Sequence, residues 1–334
     1  MMNDHVEVFV PGRLCILGEH SDWAAGYREI NQNIEKGYAI VAGLDLGIYL
    51  KGWRNEGLLY EYNGKKIKIS CDELLEWNGK DFFEYVVASA RIMHMKYSVA
   101  GAKVICEKMT LPIKKGLASS AAICVAIIRL YNLLYQLGLS VEEEMALAYE
   151  AEISTGAKCG KMDQICAYGQ GLRKICFDGD KIEVTTLNTE RELCFVLVDL
   201  HGDKDTKKIL ADLNSIYPFP KNDEEKKLIS ALGYFNKESV INAETNIING
   251  NLTGLAYALK NYQNRFDECV ACFSCELRAP LLHELIEYAC KMEGVLACKG
   301  VGAQGDGMAQ ILVEREDKTE IIAREIRDRF SYEC

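Results

Sequence analysis

Apolar and polar positions repeat along the chain with two different periods, which together predict both strands and helices. Continuous apolar runs, and apolar residues at every second position, are typical of strands. The segments with this character are 6–17, 38–50, 60–70, 104–109, 192–200 and 303–313. Apolar residues three and four positions apart are typical of helices. The segments with this spacing are 81–95, 121–137, 140–154, 204–213, 226–232, 239–248, 252–262, 280–293 and 320–330. The grouping of these elements predicts an α+β fold rather than an alternating parallel sheet.

Two local signals indicate where predicted elements begin or turn. Asn63-Gly64 interrupts an alternating stretch, and this dipeptide is a strong signal for a hairpin turn. Ser140 precedes a helical pattern and has Glu143 three residues later, which is the arrangement of a capping box. We therefore expect a hairpin between residues 60 and 70 and a helix that starts just after Ser140.

Turn-forming residues also indicate a division of the chain near residue 175. The stretch 168–171 contains two glycines, and an Asp-Gly-Asp turn follows at 178–180. We expect a first domain of residues 1–175 and a second domain of residues 176–334. No internal repeat or long linker interrupts either part.

Composition and charge exclude several classes of protein. The chain has 334 residues, of which 49% are hydrophobic and 26% charged, and this profile is typical of a folded globular protein. The formal net charge of −10 makes nucleic acid an improbable partner, because an acidic protein gains little from counterion release. A nucleotide phosphate remains compatible with this charge, since backbone dipoles can bind phosphate locally.

The chain carries neither a spanning apolar run nor a secretion signal in its first residues, so we expect a cytoplasmic protein with no membrane partner. Its 14 cysteines are scattered through apolar segments, as Cys124 and Cys194 are. This distribution favours reduced, buried thiols over a disulfide framework.

One cysteine cluster has two interpretations. Cys269, Cys272 and Cys275 have the spacing of a ferredoxin-type cluster run, but Ala279 occupies the position of the fourth ligand. Spacing by three also places residues on one face of a helix, and segment 264–279 has a helical pattern. We expect a structural helix here, with an iron–sulfur or metal site as the alternative.

The clearest candidate for ligand binding is a short loop that leads into a long apolar helix at Ser119-Ser120. A helix amino end offers unpaired N–H groups and a positive dipole to a phosphate. Gly116 allows close backbone approach, and Lys114 and Lys115 add charge. The alternative is that the serines only cap the helix. The loop is not a Walker loop, because that motif is absent.

A second candidate is the polar end of the first strand, within segment 11–22. Arg13, Glu19, His20 and Asp22 are types of side chain that form hydrogen bonds with a polyhydroxylated ligand. The alternative is a polar loop in which Arg13 pairs with a carboxylate.

Two further segments are weaker candidates. Asp163 follows a glycine-rich loop, where a carboxylate can accept a proton from a substrate hydroxyl, although a lone aspartate more often caps a turn. Segment 300–307 is rich in glycine, which permits close approach to a ligand but also suits a plain loop.

These four segments, in this order, resemble the motifs of the GHMP kinase superfamily, which comprises galactokinase, homoserine kinase, mevalonate kinase and phosphomevalonate kinase. Motif one of the galactokinase type is matched by Pro11-Gly12-Arg13 and Gly18-Glu19-His20-Ser21-Asp22. Motif two is matched by Pro112, Gly116, Leu117, Ser119, Ser120 and Ala121. Segments 159–164 and 274–277 are similar to galactokinase segments, and segment 300–307 matches motif three loosely. The resemblance runs from about residue 6 to residue 313.

The resemblance implies a fold, a nucleotide and a role for each matched residue. The fold would be the two-domain α+β GHMP-kinase fold, with a ribosomal protein S5 domain 2-like N-terminal domain and a ferredoxin-like C-terminal domain. The enzyme would use ATP and Mg²⁺ to phosphorylate a sugar hydroxyl. Asp163 would be the catalytic base or orienting carboxylate, and Arg13 would neutralise charge beside it. The ATP-binding residues would be Pro112, Lys114, Lys115, Gly116, Leu117, Ala118, Ser119, Ser120, Ala121, Gly302 and Gly305. The magnesium ligands would be Ser120 and Glu152, and the substrate would be bound by Glu19, His20, Asp22 and Asp163.

Three departures from the family pattern bear on these expectations. Ala118 stands where the family usually has glycine, Trp23 replaces the usual tyrosine, and segment 304–307 differs from the usual motif three. The first departure leaves ATP binding intact, and the others bear on whether galactose is the substrate. The alternatives to a galactokinase-like sugar kinase are therefore a kinase of another alcohol such as mevalonate, and a non-catalytic sensor of sugar and ATP.

Overall fold

The computed structural model describes residues 5–112, 115–157 and 159–334. The strands are β1 (Val6–Leu17), β2 (Gly37–Asn55), β3 (Leu58–Tyr62), β4 (Lys65–Ile69), β5 (Gly101–Met109), β6 (Gly171–Asp178), β7 (Lys181–Leu187), β8 (Cys194–Asp199), β9 (Val295–Gly300) and β10 (Met308–Val313). The α-helices are α1 (Ser21–Gly26), α2 (Cys71–Glu76), α3 (Glu84–Tyr97), α4 (Ser119–Tyr135), α5 (Val141–Ser154), α6 (Thr206–Asn214), α7 (Asp223–Ser230), α8 (Asn236–Ile248), α9 (Leu252–Cys269), α10 (Pro280–Ala289) and α11 (Thr319–Phe330). The predicted α+β class is confirmed.

The fold divides into two compact units, and each takes residues from two parts of the chain. The first consists of Met1–Arg13 and Gly43–Gln170, and the second of Leu14–Ala42 and Gly171–Cys334. Strands β1 and β2 each begin in one unit and end in the other. The predicted boundary at residue 175 separates two domains of the family. The two compact units do not test such a boundary, so it stays a prediction.

The first unit contains a mixed sheet, with both antiparallel and parallel strand pairs, and helices packed on it. Its strands are neighbours in the order β4, β3, β5 and β2. β3 and β4 form the predicted hairpin, in which Asn63 and Gly64 both have positive φ, and β3 pairs in parallel with β5. Helices α3, α4 and α5 pack against one another. Gly52 of β2 lets α4 approach closely, because a side chain there would meet Leu130 at 2.6 Å.

The second unit contains a separate antiparallel sheet in the order β8, β10 and β9. Helices α10 and α11 bury their apolar sides in a shared core with this sheet. That core includes Val196, Val198, Leu285, Ile311 and Ile326. Residues of α6, α7 and α9 build another core in the same unit, which includes Ile209, Leu213, Leu228 and Phe266. In this unit β6 and β7 also form an antiparallel pair.

The predicted helix over 264–279 is present only as far as Cys269, and the rest of the prediction is wrong. Helix α9 ends at Cys269, and the chain continues as two 3₁₀ turns, Ala271–Phe273 and Cys275–Leu277. Val270 and Leu277 are both buried, so the chain folds back to place these two apolar side chains in the core. Consequently Cys269, Cys272 and Cys275 do not share one helical face.

Most predicted elements are present with shifted ends, and a few were not predicted. The capping box at Ser140 and Glu143 is formed, with both of its hydrogen bonds present. Elements without a sequence prediction are α1, α2, β6, β7 and β9. Within the described ranges, none of the helices combines the length and the apolar character required to cross a bilayer.

Candidate active site

The amino end of α4 is open to a ligand. The residue that precedes the helix is Ala118, which has a left-handed backbone with φ of 59°, and its side chain offers no cap. Ser119 and Ser120 are the first two helical residues, so the alternative in which the serines form the N-cap is wrong. The N–H groups of this first turn have no acceptor within the helix, and the helix dipole adds positive potential. Both features suit an anionic group.

The loop before α4 is held against β1. The backbone N–H of Arg13 donates to the carbonyl oxygen of Leu117 at 3.1 Å. A side chain at Gly12 would lie 3.0 Å from that same oxygen and would collide with Leu111. Gly116 has a φ of 77°, which favours glycine. Glycine at position 12 therefore lets the loop approach the strand closely, and glycine at position 116 suits the backbone conformation of the loop.

Of the other loop residues predicted to bind ATP, Pro112 lies half-buried before the loop, and Ala121 is fully buried in the first turn of α4. Lys115 is half-buried. Lys114 lies outside the described residues.

Arg13 and Asp163 form an ion pair in the first unit. The guanidinium of Arg13 donates through Nη2 to Oδ1 of Asp163, and the arginine is only 4% exposed. Asp163 is the first residue of a 3₁₀ helix, Asp163–Tyr168, and 30% of its side chain is exposed. The two residues lie 150 positions apart in sequence. Arg13 therefore fixes the orientation of a carboxylate that remains accessible.

A second carboxylate, Glu152, lies buried beside this pair. Its Oε1 accepts a hydrogen bond from the hydroxyl of Ser120 at 2.6 Å, and its Oε2 accepts one from the amide of Gln164 at 2.7 Å. Burial, and after it the negative charge of Asp163, raises the pKa of Glu152 to about 7. Carboxylate and hydroxyl oxygens are the ligands that Mg²⁺ prefers. Ser120 and Glu152 therefore fit a magnesium ion.

A polar network that the sequence analysis missed supports the element carrying Asp163. Arg129 donates to Oε2 of Glu144 at 2.8 Å and to the carbonyl oxygen of Ala167 at 2.6 Å. Asn132 donates to the other oxygen of Glu144 at 2.9 Å. These bonds join α4, α5 and the 3₁₀ helix. The signal in the sequence was Arg129 itself, which is the only charged residue in the apolar segment 119–135.

In the second unit, the predicted substrate residue Glu19 forms a buried ion pair with Lys299. The two side chains are 1% and 0% exposed, respectively. Lys299 was not identified from the sequence, because its partner lies 280 positions away. Ser21 stabilises the same segment, since its hydroxyl donates to the carbonyl oxygens of Gly18 at 2.7 Å and Tyr38 at 2.9 Å. Asp22 is half-buried in the first turn of α1.

His20 is buried and held in one tautomer. The indole N–H of Trp23 donates to its Nδ1 at 3.0 Å, so the proton resides on Nε2, which faces the carbonyl oxygen of Ala303 at 3.3 Å. The ring of Phe266 stacks on the imidazole at 5.8 Å. Burial lowers the pKa of His20 to about 4, so the ring is neutral at pH 7. Trp23, a departure from the family pattern, thus has a specific hydrogen-bonding role.

The glycine-rich segment 300–307 forms a turn between β9 and β10. Gly302 and Gly305 have φ of 67° and 74°. A side chain at Gly305 would lie 2.7 Å from the carbonyl oxygen of Glu276, so the backbone passes close to that turn. Asp306 accepts a hydrogen bond from the N–H of Leu282 at 2.9 Å and so caps α10. This cap is a physical reason for one of the departures from the usual motif three.

Among the described residues, one group of side chains has metal-ligating atoms within 4.8 Å of one another, and it contains Asp199, His201 and Glu333 of the second unit. None of these three residues is among the predicted site residues.

Comparisons with known proteins agree with the motifs. The family model for the GHMP kinases N terminal domain matches residues 84–171. A curated galactokinase from Haemophilus influenzae is 21% identical over 361 residues, which cover 97% of this chain and 89% of that protein.

Two solved structures have the same fold as the whole chain. The galactokinase of Lactococcus lactis, complexed with galactose, has a TM-score of 0.78 and 19% identity, with 98% of this chain and 90% of that chain covered. The mevalonate kinase of Methanococcus jannaschii has a TM-score of 0.76 and 18% identity, with 98% and 96% covered. The predicted two-domain GHMP-kinase fold is therefore confirmed.

The match to the GHMP kinases N terminal domain and the similarity to galactokinases agree with the expected enzyme class, an ATP-dependent kinase with a hydroxyl group as acceptor. Taken together, residues 84–171 match the family model for the GHMP kinases N terminal domain, and the chain as a whole is similar to galactokinases in sequence and in fold.

Proposed function

We propose that the chain transfers the γ-phosphoryl group of ATP to a hydroxyl group of a sugar, with the anomeric hydroxyl as the acceptor. The single observation that carries this proposal is the arrangement in the first unit. There the Arg13–Asp163 ion pair accompanies a buried Ser120–Glu152 pair at the uncapped amino end of α4. Phosphoryl transfer depends mainly on alignment and charge neutralisation, and these groups supply both.

The amino end of α4 and the loop before it would bind the phosphates of ATP. Backbone N–H groups and the helix dipole stabilise phosphate charge at such a position. The ATP-binding residues in this proposal are Pro112, Lys114, Lys115, Gly116, Leu117, Ala118, Ser119, Ser120 and Ala121, with Gly302 and Gly305 of the second unit. Ser120 and Glu152 would hold a magnesium ion, which supplies positive charge to the phosphates when it is bound.

Asp163 would accept or orient the proton of the acceptor hydroxyl. Arg13 keeps the carboxylate in one orientation and adds positive charge next to the transferred group. In the second unit, the segment that contains Glu19, His20 and Asp22 would bind the sugar. The names of the relatives support a sugar as acceptor, because a galactokinase acts on galactose, which is the ligand in one of the similar structures.

A kinase of another alcohol is the second candidate, because a mevalonate kinase has a similar fold. A screen for ADP release over free sugars, uronic acids and mevalonate separates the two. Turnover with sugars supports the proposal, whereas turnover with mevalonate alone selects the alternative. Binding of sugar and ATP without ADP release would indicate a sensor and would contradict both.

The same screen tests the role of Asp163. We expect Asp163→Ala to abolish sugar-dependent ADP release, while Asp45→Ala, which changes an exposed carboxylate on β2, leaves it unchanged. Full activity in Asp163→Ala would refute the assigned role.

A further inference from the structure

Gln164, on the 3₁₀ helix Asp163–Tyr168, is a buried polar residue to which the proposed reaction gives no role. It is 1% exposed, and its Nε2 donates a hydrogen bond of 2.7 Å to Oε2 of Glu152. This bond joins the element that carries Asp163 to α5, which carries the proposed magnesium carboxylate. Burial of an amide is costly unless its polar atoms are hydrogen-bonded, so each end of this side chain needs a partner.

The carboxylate that Gln164 meets is held by neutral donors. Oε1 of Glu152 accepts from the hydroxyl of Ser120, and Oε2 accepts from the amide of Gln164. Glu152 is 3% exposed, and the neighbouring cation, Arg13, pairs with Asp163 instead. A buried carboxylate is stable in its charged form only when a cation compensates it. The arrangement therefore orients a negative charge and leaves it for a bound cation to neutralise.

The other end of the amide also indicates a ligand. Oε1 of Gln164 is inaccessible to solvent and accepts no hydrogen bond from the residues that the structure describes. A buried acceptor without a donor destabilises a fold, so such an atom is typical of a site that a ligand completes. Magnesium keeps several of its waters in protein sites, and a hydrated ion beside Glu152 would bring O–H donors to this oxygen.

The 3₁₀ helix that carries Gln164 is itself fixed in the first unit. Ile165 and Cys166 are 2% and 1% exposed, and the carbonyl oxygen of Ala167 accepts from Arg129 at 2.6 Å. The backbone on the carboxyl side of Gln164 is therefore anchored by packing and by a charged donor. From this position the amide of Gln164 reaches α5 with a constant geometry.

We propose that Gln164 is a positioning residue for magnesium: its amide nitrogen keeps Glu152 oriented toward the ion, and its amide oxygen accepts from a water that the ion carries. This inference rests on the proposed function, in which Ser120 and Glu152 hold magnesium beside ATP. Removal of the group that orients a metal ligand commonly lowers metal affinity about 10- to 100-fold.

The experiment measures the Kd of a non-hydrolysable ATP analogue by calorimetry, once with magnesium and once with EDTA. The ratio of the two Kd values is the gain in affinity that magnesium provides. We expect Gln164→Leu to reduce this gain about tenfold, with the Kd in EDTA changed about threefold or less. A pH of about 8.5 keeps the carboxyl of Glu152, whose pKa is about 7, in its ionised form.

Tyr168→Phe is the matched control. The hydroxyl of Tyr168 donates to Oε1 of Glu142 at 2.7 Å, so this exposed bond joins the same 3₁₀ helix to the same helix α5. Its removal tests whether any loosening between these two elements weakens magnesium binding. We expect Tyr168→Phe to keep the gain from magnesium within about twofold of the wild-type value.

A double variant tests whether Gln164 acts through Glu152. Glu152→Gln should lose most of the gain from magnesium, and the addition of Gln164→Leu should cause no further loss. Should Gln164→Leu fail to fold, Gln164→Asn makes the same test, because its amide is one methylene shorter and withdraws from the carboxylate.

Three results would overturn the inference: a wild-type gain in Gln164→Leu, an equal loss in Tyr168→Phe, or a further loss in the double variant. Because the binding measurement needs no acceptor, it is separate from the screen for ADP release. Wild-type turnover together with an unaltered gain in Gln164→Leu would overturn this inference alone. A reduced gain in Gln164→Leu without turnover of any acceptor would support it and overturn the kinase proposal alone.

Discussion

The hydroxyl of Ser120, in the first turn of α4, donates a hydrogen bond of 2.6 Å to Oε1 of Glu152, near the end of α5. This contact joins the predicted phosphate-binding helix to a buried carboxyl group. That carboxyl carries an unusual protonation equilibrium, since burial raises its pKa to about 7. Two predictions follow from this single relationship.

The first prediction concerns stability. The pKa of Glu152 is raised from 4.5 to about 7 in the folded state, so the folded protein retains a proton that the unfolded chain releases between those pH values. The stabilisation is therefore complete below about pH 4.5 and is lost as the pH rises through 7, which corresponds to about 3 kcal/mol. We expect Glu152→Gln to remove this loss, so that urea unfolding at pH 8 shows a more stable protein than wild type.

Glu150→Gln is the matched control, because Glu150 lies on the same helix but is exposed in a surface pair with Lys96. Its effect on the free energy of unfolding should be about 0.5 kcal/mol or less. Identical pH dependence in wild type and Glu152→Gln would contradict the buried, protonated state of this carboxyl.

The second prediction concerns the binding of magnesium and ATP. A metal-ligating carboxylate must be ionised, and a group with a pKa of about 7 is about half protonated at pH 7. We expect binding of Mg²⁺ with a non-hydrolysable ATP analogue to release about half a proton per site at this pH. Calorimetry in buffers with different ionisation heats measures this number. Equal proton release by Glu152→Gln would show that the proton comes from another group.

The third prediction concerns the backbone at Ala118. This residue has a φ of 59°, where a side chain costs about 1 kcal/mol or more relative to glycine. Glycine relieves this cost, although it loses more entropy on folding, so the net effect of Ala118→Gly should be to stabilise the protein by up to about 1 kcal/mol. Ala146→Gly, on the exposed side of α5, should destabilise it by about 1 kcal/mol. Thermal unfolding of both variants tests the opposite signs, and equal destabilisation would contradict the left-handed conformation.

The fourth prediction concerns the cap of α10. Residue 279, which precedes this helix, is an alanine and provides no side-chain cap, whereas Asp306 accepts from Leu282. We expect Asp306→Ala to destabilise the second unit by about 1 kcal/mol. Asp317→Ala removes only an exposed pair with Arg315 and should cost about 0.5 kcal/mol or less. Equal unfolding midpoints for the two variants would contradict the cap.

Local signals in the sequence predicted the elements whose ends depend on local contacts. Ser140 and Glu143 lie three residues apart and form their own hydrogen bonds, so the start of α5 could be read directly. The hairpin at Asn63-Gly64 is of the same kind. The four motifs likewise depend on residues close together in sequence, and this made the family recognisable.

Features that depend on distant contacts were not predictable. Val270 and Leu277 end the helical path after α9 because both are buried in a core that includes residues of α6 and α7. The Glu19–Lys299 pair joins residues 280 positions apart, and a single lysine beside glycine gives no sign of burial. Strand β7 was missed although Ile182 and Val184 alternate with polar residues, because this alternation is short and more than half of the strand is exposed.

The most direct test of the central claim is the fate of the γ-phosphoryl group. Incubation of the protein with magnesium, isotopically labelled ATP and the sugar that gives ADP release should yield labelled sugar phosphate, identified by mass spectrometry. Asp163→Asn should yield none, because the carboxylate that meets the acceptor hydroxyl is gone. The claim would be contradicted if the wild-type protein placed the label only in free phosphate. It would also be contradicted if Asp163→Asn formed labelled sugar phosphate at the wild-type rate.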